Sequence, residues 1–275
     1  MTKDFELNDR FSNLPALDFT EFNGRFGRLD ALASWIVATK VPRRDRDAWN
    51  WQLIHLGEDR HAGPTSLFPT GIVRSQSQQS NASSVDNEIA VGMEIADRAI
   101  DSGVGLLLLS SPETTTPLEL EILVGALTRT DAASVAPRIG VGDSEWIANV
   151  TLIRDGMFLL RDRLSKPEEL LAHTKSFAIA ASVGVILQAA KRATPVLLIG
   201  EGASCAALIA TRISHRTREW TMPAVDLVSQ VGVITQRHLD RPPIIELGIT
   251  FENDYMTPLA MTAPIIDAVL ALLTT

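Results

Sequence analysis

Side chains able to transfer protons or bind anions concentrate in four short stretches of this sequence, each rich in glycine or hydroxyl groups. These stretches are residues 56–69, 106–119, 138–143 and 200–202. Carboxylates and imidazoles act as general acids or bases, and an arginine beside open glycine backbone can hold a phosphate. Histidine, cysteine and aspartate do not recur elsewhere with ligand spacing, so we expect no metal site. The side chains of the four stretches could therefore transfer protons and bind a small anionic ligand.

The first stretch, LGEDRHAGPTSLFP, follows a short apolar run and therefore reads as the loop after a strand. Glu58, Asp59 and His61 are candidate general acids or bases, and the glycines would let the backbone approach a ligand. Loops at strand ends often carry function. The alternative is a solvated loop of mixed charge.

The second stretch, LLLLSSPETTTPLE, runs from a strand into a helix, which is where phosphates bind in many α/β proteins. Thr116 and Glu119 fit a capping box, with Pro117 at the first helical position. Such a cap uses the N–H groups that a phosphate would need, and no glycine lies between Leu106 and Leu118. We therefore predict a self-capped helix start, with the Thr115 and Thr116 hydroxyls as the alternative anion ligands.

Two glycine turns complete the candidate set. Arg138 with Gly140 and Gly142 could hold a phosphate. Glu201, beside Gly202, could act as an acid or base or could accept a hydrogen bond from a ribose. The alternative for both is an ordinary turn. Cys205 lies among alanines at helical spacing and is interpreted as a packed small side chain rather than a nucleophile.

The surrounding pattern alternates between apolar runs and helical periodicity. We predict strands at residues 51–56, 104–109, 195–200 and 244–247, and helices at 89–100, 117–128, 146–160, 177–190, 203–213 and 264–273. Alternation of this kind predicts an α/β fold with a mostly parallel sheet and helices on both faces. Ligands of such sheets bind beyond the C-terminal ends of the strands. The serine- and glutamine-rich residues 74–84 are predicted to form a mobile loop.

Composition excludes several classes of function. The 275 residues are 45% hydrophobic, carry a net charge of −8 and include one cysteine. The negative charge argues against nucleic acid and anionic membranes as partners. We find no secretory signal and no apolar run of the roughly 20 residues that cross a bilayer, so we expect a cytoplasmic protein.

Several motifs stand in the order found in the nicotinate-nucleotide–dimethylbenzimidazole phosphoribosyltransferase family, which the chain resembles. They are GRFGRLDALA at 24–33, LGEDRH at 56–61 with FP at 68–69, SPETTTP at 111–117, RIGVGD at 138–143, SFAIAA at 176–181, LIGEGASCAAL at 198–208 and ELGITFE at 246–252. The resemblance covers nearly the whole chain and is best after residue 89.

The resemblance implies a reaction and a division of roles. It implies attack by a benzimidazole-type base on the ribose C1′ of nicotinate mononucleotide, in cobalamin lower-ligand (α-ribazole phosphate) synthesis, by a homodimer without a cofactor. Asp59, His61 and Phe68 would line the base pocket. Thr115, Thr116, Arg138, Gly140 and Gly142 would hold the phosphate, while Glu201 and Gly202 would line the ribose. The resemblance also implies a Rossmann-like α/β domain of residues 49–254, with a small helical subdomain of residues 1–48 and 255–275 beside it.

The general base is where the sequence leaves alternatives open. Alignment from Leu247 and Gly248 places Asn253 at the position of the family's catalytic glutamate, and Glu252 stands one residue earlier. A one-residue slip makes Glu252 the base. Without it, the chain would be a catalytically silent relative that binds a nucleotide or base, or a partner of an active enzyme.

Overall fold

The fold is known from a computed structural model that describes residues 7–39, 51–56, 84–111, 117–174, 176–248 and 256–273. Within these ranges the strands are β1 Trp51–His55, β2 Leu106–Ser110, β3 Val196–Ile199 and β4 Thr221–Pro223. The helices are α1 Leu7–Arg10, α2 Asp30–Thr39, α3 Val85–Asp101, α4 Pro117–Thr128, α5 Ala132–Val135, α6 Asp143–Leu160, α7 Pro167–Thr174, α8 Phe177–Lys191, α9 Glu201–Ile213, α10 Gln230–Leu239 and α11 Met256–Leu272.

The four strands form one parallel sheet in the order β1-β2-β3-β4. Trp51 pairs with Leu106, Leu107 pairs with Val196, and Val196 pairs with Thr221. Every residue of the four strands is buried, as expected for parallel strands that are covered on both faces. Such strands read as continuous apolar runs, which is why LLLL and VLLI were recognisable in the sequence.

Each crossover steps one strand along the sheet in the same direction, so the crossover helices gather on one face. Leu107 and Leu109 point to that face and share a core with residues of α3, α4, α8 and α9. Leu106 and Leu108 point to the opposite face, where side chains of α2 and α11 cover them. The predicted fold class is thereby confirmed, with helices on both faces of a parallel sheet.

The helices from the two chain ends, α2 and α11, also contact each other over the second face. The division of the chain into a subdomain of residues 1–48 and 255–275 and a domain of 49–254 stays a prediction.

Two glycines set how closely α3 and α8 approach on the first face. A Cβ at Gly92 would lie 1.9 Å from the Ala181 carbonyl oxygen, and one at Gly184 would lie 2.1 Å from the Ile89 carbonyl oxygen. The Gln188 side-chain amide closes the same interface by donating to the Asp97 carboxylate at 2.8 and 2.9 Å. The helix predicted at 177–190 is thus α8, and its small residues let it pack closely against α3.

The prediction of a strand at residues 244–247 was wrong, because this segment is not one of the four strands of the sheet. Only Ile245 forms a parallel bridge there, with Val225. Beyond this bridge the Leu247 and Gly248 N–H groups donate to the Asp226 carboxylate, at 2.7 and 2.8 Å, and not to a neighbouring strand. β4 and α10 were not predicted, since β4 has three residues and ends in proline, and α10 contains glycine and several polar residues.

Candidate functional site at the C-terminal ends of the strands

Parallel topology brings the residues that follow β2, β3 and β4 to one edge of the sheet, here called the carboxyl edge. Ser111 follows β2, Gly200 follows β3, and Asp226 lies three residues after β4. This is the edge where open α/β sheets bind ligands. The candidate site is therefore built from the loops and helix starts that meet there.

The turn from β3 into α9 contains two of the predicted site residues, Glu201 and Gly202. Gly200 has φ of +87° and lies directly before the helix, a conformation that favours glycine. A Cβ at Gly202 would lie 2.6 Å from the Ser111 carbonyl oxygen, so glycine lets the first turn of α9 rest on the end of β2. The structure thus places Glu201 and Gly202 at the carboxyl edge.

Ser229 links the starts of two helices at this edge. Its hydroxyl donates a hydrogen bond to Oε1 of Glu201, and its Oγ accepts one from the Gly232 N–H at 2.8 Å as the N-cap of α10. The Glu201 carboxylate is therefore held in a defined position by a residue that sequence reasoning missed. The signal for Ser229 was its capping position before α10, which was itself not predicted.

A second carboxyl group lies near Glu201. Glu121 of α4 is 7% exposed, and burial, followed by the nearby charge of Glu201, raises the pKa of Glu121 above its ordinary value. A carboxyl group with a raised pKa keeps its proton to a higher pH than usual, which suits proton transfer or the binding of hydroxyl groups. The signal was a charged side chain within the apolar helix α4.

Cys205 lies one turn into α9 and takes no part in this chemistry. It is fully buried, and burial and then the Glu201 carboxylate raise the pKa of its thiol to about 12. The group stays a neutral thiol at physiological pH, whereas a nucleophile requires the thiolate. The interpretation of Cys205 as a packed small side chain is confirmed.

The Gln236 side chain holds the segment after β4 against α10, beside a groove. Gln236 of α10 donates to the Val225 carbonyl at 2.8 Å and accepts from the Leu227 N–H at 2.9 Å. The groove beside it has a volume of about 480 Å³. It is lined by Asp226, Leu227, Val228, Val233, Gln236, Arg237, Pro243 and Glu246. Apolar walls with a few charged groups suit a small organic ligand.

The predicted phosphate loop of Arg138, Gly140 and Gly142 lies directly before α6. The Arg138 guanidinium binds the Asp143 carboxylate at 2.9 Å and lies 4.5 Å from the centre of the Trp146 ring. Gly140 has φ of +77°, and a Cβ at Gly140 or Gly142 would meet no atom within 4 Å. The backbone is open to a ligand, while the arginine is engaged by the first turns of α6.

The remaining predicted residues lie outside the described ranges. They are Glu58, Asp59, His61, Phe68, Thr115, Thr116 and Glu252. α4 begins at Pro117, as the capping pattern predicted, but the cap itself involves Thr116 and stays a prediction. The loop predicted at 74–84 also falls almost wholly outside.

The described ranges contain neither a metal-binding cluster nor a membrane-spanning helix. In those residues, no group of three or more His, Cys, Asp and Glu side chains is arranged to hold a metal ion. None of the helices described there combines the length and the apolar composition that crossing a membrane requires.

Comparison with known proteins defines the class. A family model described as phosphoribosyltransferase matches residues 77–275. That range contains the residues that follow β2, β3 and β4 at the carboxyl edge. The chain belongs to this family, that of the nicotinate-nucleotide–dimethylbenzimidazole phosphoribosyltransferases.

Individual relatives carry that name. The chain is 33% identical to the nicotinate-nucleotide–dimethylbenzimidazole phosphoribosyltransferase of Corynebacterium glutamicum over 170 residues, covering 60% of this chain and 47% of that protein. It is 29% identical to the Mycobacterium avium protein of the same name over 193 residues, covering 70% and 55%. The chain spans about half the length of these relatives.

A solved structure supports the fold. The crystal structure of CobT from Thermus thermophilus matches with a TM-score of 0.68 and 16% identity, over 98% of this chain and 95% of that one. At this identity the likeness concerns the fold alone.

Proposed function

We propose that this chain transfers the phosphoribosyl group of nicotinate mononucleotide to a benzimidazole-type base, in cobalamin lower-ligand synthesis. The observation that carries the proposal is the turn at Glu201 and Gly202, fixed by Ser229 at the carboxyl edge within the family-matched segment. The relatives are named for nicotinate nucleotide and dimethylbenzimidazole as substrates.

The proposed reaction is a displacement at the ribose C1′ atom. A nitrogen lone pair of the base forms the new C1′–N bond while the bond from C1′ to nicotinate breaks. Nicotinate leaves with the bonding electron pair, and the proton on the other nitrogen of the base passes to a carboxylate. A positioned general base of this kind contributes roughly 10²–10⁴-fold to the rate. Glu252 is the proposed general base.

The ribose and the phosphate are assigned to different parts of the site. The Glu201 carboxylate accepts hydrogen bonds from the ribose hydroxyls, as it does from Ser229, and Gly202 keeps that turn against Ser111. The open backbone at Gly140 and Gly142 receives the phosphate, together with Arg138 and the hydroxyls of Thr115 and Thr116. Binding the phosphate would compete with Asp143 for the Arg138 guanidinium.

The aromatic base is assigned to the loop with Asp59, His61 and Phe68. The partners are thus a small nucleotide and an aromatic base, with no nucleic acid or membrane. We further propose that the protein works as a homodimer in the cytoplasm. The supports are the net charge of −8, which disfavours polyanions, and the family resemblance.

The test is incubation of the folded protein with nicotinate mononucleotide and 5,6-dimethylbenzimidazole, followed by quantification of nicotinate and of the ribazole phosphate. The proposal predicts that both products accumulate in equal amounts. Glu252→Gln should lower kcat about 10²–10⁴-fold with little change in KM. Glu94→Gln, an exposed change on α3, is the control and should keep wild-type kcat.

One result would contradict the proposed transfer, and another would contradict only the role of Glu252. No turnover by a wild-type protein that binds the nucleotide would identify a catalytically silent relative. Unchanged kcat in Glu252→Gln would remove Glu252 from the mechanism and leave the transfer itself standing.

A further inference from the structure

An arginine stacks on an aromatic ring near each end of helix α6. At the start, the Arg138 guanidinium lies 4.5 Å from the centre of the Trp146 ring and donates to the Asp143 carboxylate at 2.9 Å. Near the end, the Arg161 guanidinium lies 3.9 Å from the centre of the Phe158 ring. The two rings are about 18 Å apart along the helix, at 1.5 Å per residue. The two stacks are alike in chemistry, but only the first lies beside the open glycine loop.

The Trp146 side chain has a fixed place in the fold. Its backbone N–H donates to the Gly142 carbonyl at 2.8 Å, which sets the residue at the end of the first turn of α6. The side chain packs against a small core that contains Ile153, and Leu118 of α4 packs against the same core. Trp146 therefore connects the loop at 138–142 with the start of α4, near the two segments assigned to the phosphate.

The indole ring of Trp146 supplies its face rather than a hydrogen bond. Its Nε1 atom is buried and donates to no acceptor among the residues that the structure describes. A guanidinium over the face of an aromatic ring is attracted by the π electrons, and tryptophan attracts it most strongly. The contact with Arg138 is therefore what this tryptophan contributes beyond packing.

Stacking leaves the hydrogen-bond donors of Arg138 available to a ligand. A guanidinium stacks through its flat face, whereas its N–H groups point outward in its own plane. Asp143 accepts from Nη2, and within the described ranges no second acceptor contacts this guanidinium. The Arg138 side chain is 52% exposed, so the remaining donors can reach an anion. A planar fork of this kind matches two oxygens of a phosphate.

We propose that Trp146 is a positioning residue for the phosphate of nicotinate mononucleotide. Its ring holds the Arg138 guanidinium in the orientation that receives the phosphate beside Gly140 and Gly142. Trp146 acts through Arg138 and does not touch the reacting C1′ atom. The inference rests on the transfer reaction proposed above and adds a residue that determines the affinity for the nucleotide.

The first test is calorimetric titration of the full chain with nicotinate mononucleotide. Trp146→Leu keeps an apolar side chain but removes the aromatic face, so the dissociation constant should rise about 5-fold. Trp146→Phe keeps a ring and should change the constant by less than about 2-fold. Phe158→Leu is the matched control, because it removes the stack at the other end of α6, and it should bind like the wild type.

The second test separates positioning from a merely structural role. Arg138→Ala should weaken nucleotide binding, and adding Trp146→Leu to it should weaken binding no further, because Trp146 acts through Arg138. In steady-state kinetics, Trp146→Leu should raise KM for the nucleotide and leave kcat unchanged, as expected for a contact away from the reacting atoms.

A variant of the exposed arginine tests the same stack without a change in the core. Arg138→Lys keeps the charge but has no flat face to stack, so it should also raise the dissociation constant. Thermal unfolding should show that all of these variants are folded.

Several results would overturn the proposal. Wild-type affinity in Trp146→Leu or in Arg138→Lys would show that the stack does not determine binding. Equal losses in Trp146→Leu and Trp146→Phe would assign the effect to packing of the indole, and additive losses in the double variant would separate Trp146 from Arg138. A wild type that binds the nucleotide but releases no nicotinate would refute the transfer and leave this inference standing. A wild type that binds no nucleotide would contradict both.

Discussion

The turn at Gly200–Gly202 and the loop at Arg138–Gly142 are both glycine turns before a helix, yet the structure treats them differently. The first is fixed by β2 on one side and by α10 on the other, through Ser111 and Ser229. The second has open space around its glycines, and Ile139 beside them is 98% exposed. Closely spaced glycines thus mark a turn held by its neighbours at the carboxyl edge and an open loop before α6.

The difference teaches that position in the sheet decides what a glycine turn contributes. In a parallel sheet, a turn at a strand end lies beside the ends of the neighbouring strands. Those neighbours can hold the Glu201 carboxylate in position before a ligand binds. A loop between helices has no such neighbours, so Arg138 pairs with Asp143 of the helix that follows it. We therefore expect pre-organised ribose binding and adaptable phosphate binding.

The largest expected effect comes from filling the close approach at Gly202. Gly202→Val should lower the free energy of unfolding by about 2–3 kcal/mol, because its Cβ would meet the Ser111 backbone at 2.6 Å. Gly142→Val is the control in the other loop, where no atom lies within 4 Å of a Cβ, and should change stability by less than about 0.5 kcal/mol. Urea unfolding of both variants checks this, and equal losses would refute the contrast.

Removal of the Ser229 hydroxyl should have the next largest effect. Ser229→Ala deletes the N-cap of α10 and a donor to Glu201, which should cost about 1 kcal/mol in chemical denaturation. Ser144→Ala is the comparison at the start of α6, whose N-cap Gly142 supplies no side-chain hydrogen bond. That control should be nearly neutral. If Ser144→Ala costs as much as Ser229→Ala, capping does not distinguish the two helix starts.

A pH-dependent effect is expected at Glu121. Its pKa is raised in the folded state, so the folded protein binds more protons there than the unfolded chain does. The favourable contribution is complete below the ordinary glutamate pKa and is lost as pH rises through the raised value. Glu121→Gln should therefore stabilise the protein at pH 7 and lose this advantage near pH 4. Thermal melts across that range measure it, and a gain confined to acid pH would reverse the sign.

The smallest stability effect is expected at Arg138. Its ion pair with Asp143 is exposed, and such pairs contribute about 0–1 kcal/mol. Arg138→Ala should shift the free energy of unfolding by less than about 0.5 kcal/mol while weakening binding of nicotinate mononucleotide. A large stability loss with unchanged binding would make Arg138 a structural residue.

Much of the fold could be predicted from the sequence, because buried parallel strands and small-residue helices leave strong local patterns. β2, β3 and α8 are of this kind, and their predicted positions agree closely with the structure. β4 and α10 lack such patterns, since their position depends on pairing with β3 and packing against α9. The spacing of residues within a short segment says little about its contacts with segments far away in the sequence.

The candidate site was predictable to a lesser degree. Glycine turns revealed Glu201 and Gly202, but Ser229 and Glu121 come to this edge only through tertiary packing. Twenty-eight residues separate Glu201 from Ser229, and no spacing rule joins residues so far apart. Glu121 in an apolar helix and Ser229 as an N-cap are weak signals in the sequence. They point to the site only when the positions of α4, α9 and α10 are known.

The central claim is that the nucleotide binds at the carboxyl edge beside Glu201, and calorimetric titration with nicotinate mononucleotide tests it most directly. The wild-type protein should bind the nucleotide, and Glu201→Gln should weaken binding about 10-fold or more through loss of charged hydrogen bonds. Glu94→Gln, an exposed change on α3, should bind like the wild type. Wild-type affinity in Glu201→Gln, or no binding by the wild-type protein, would contradict the account.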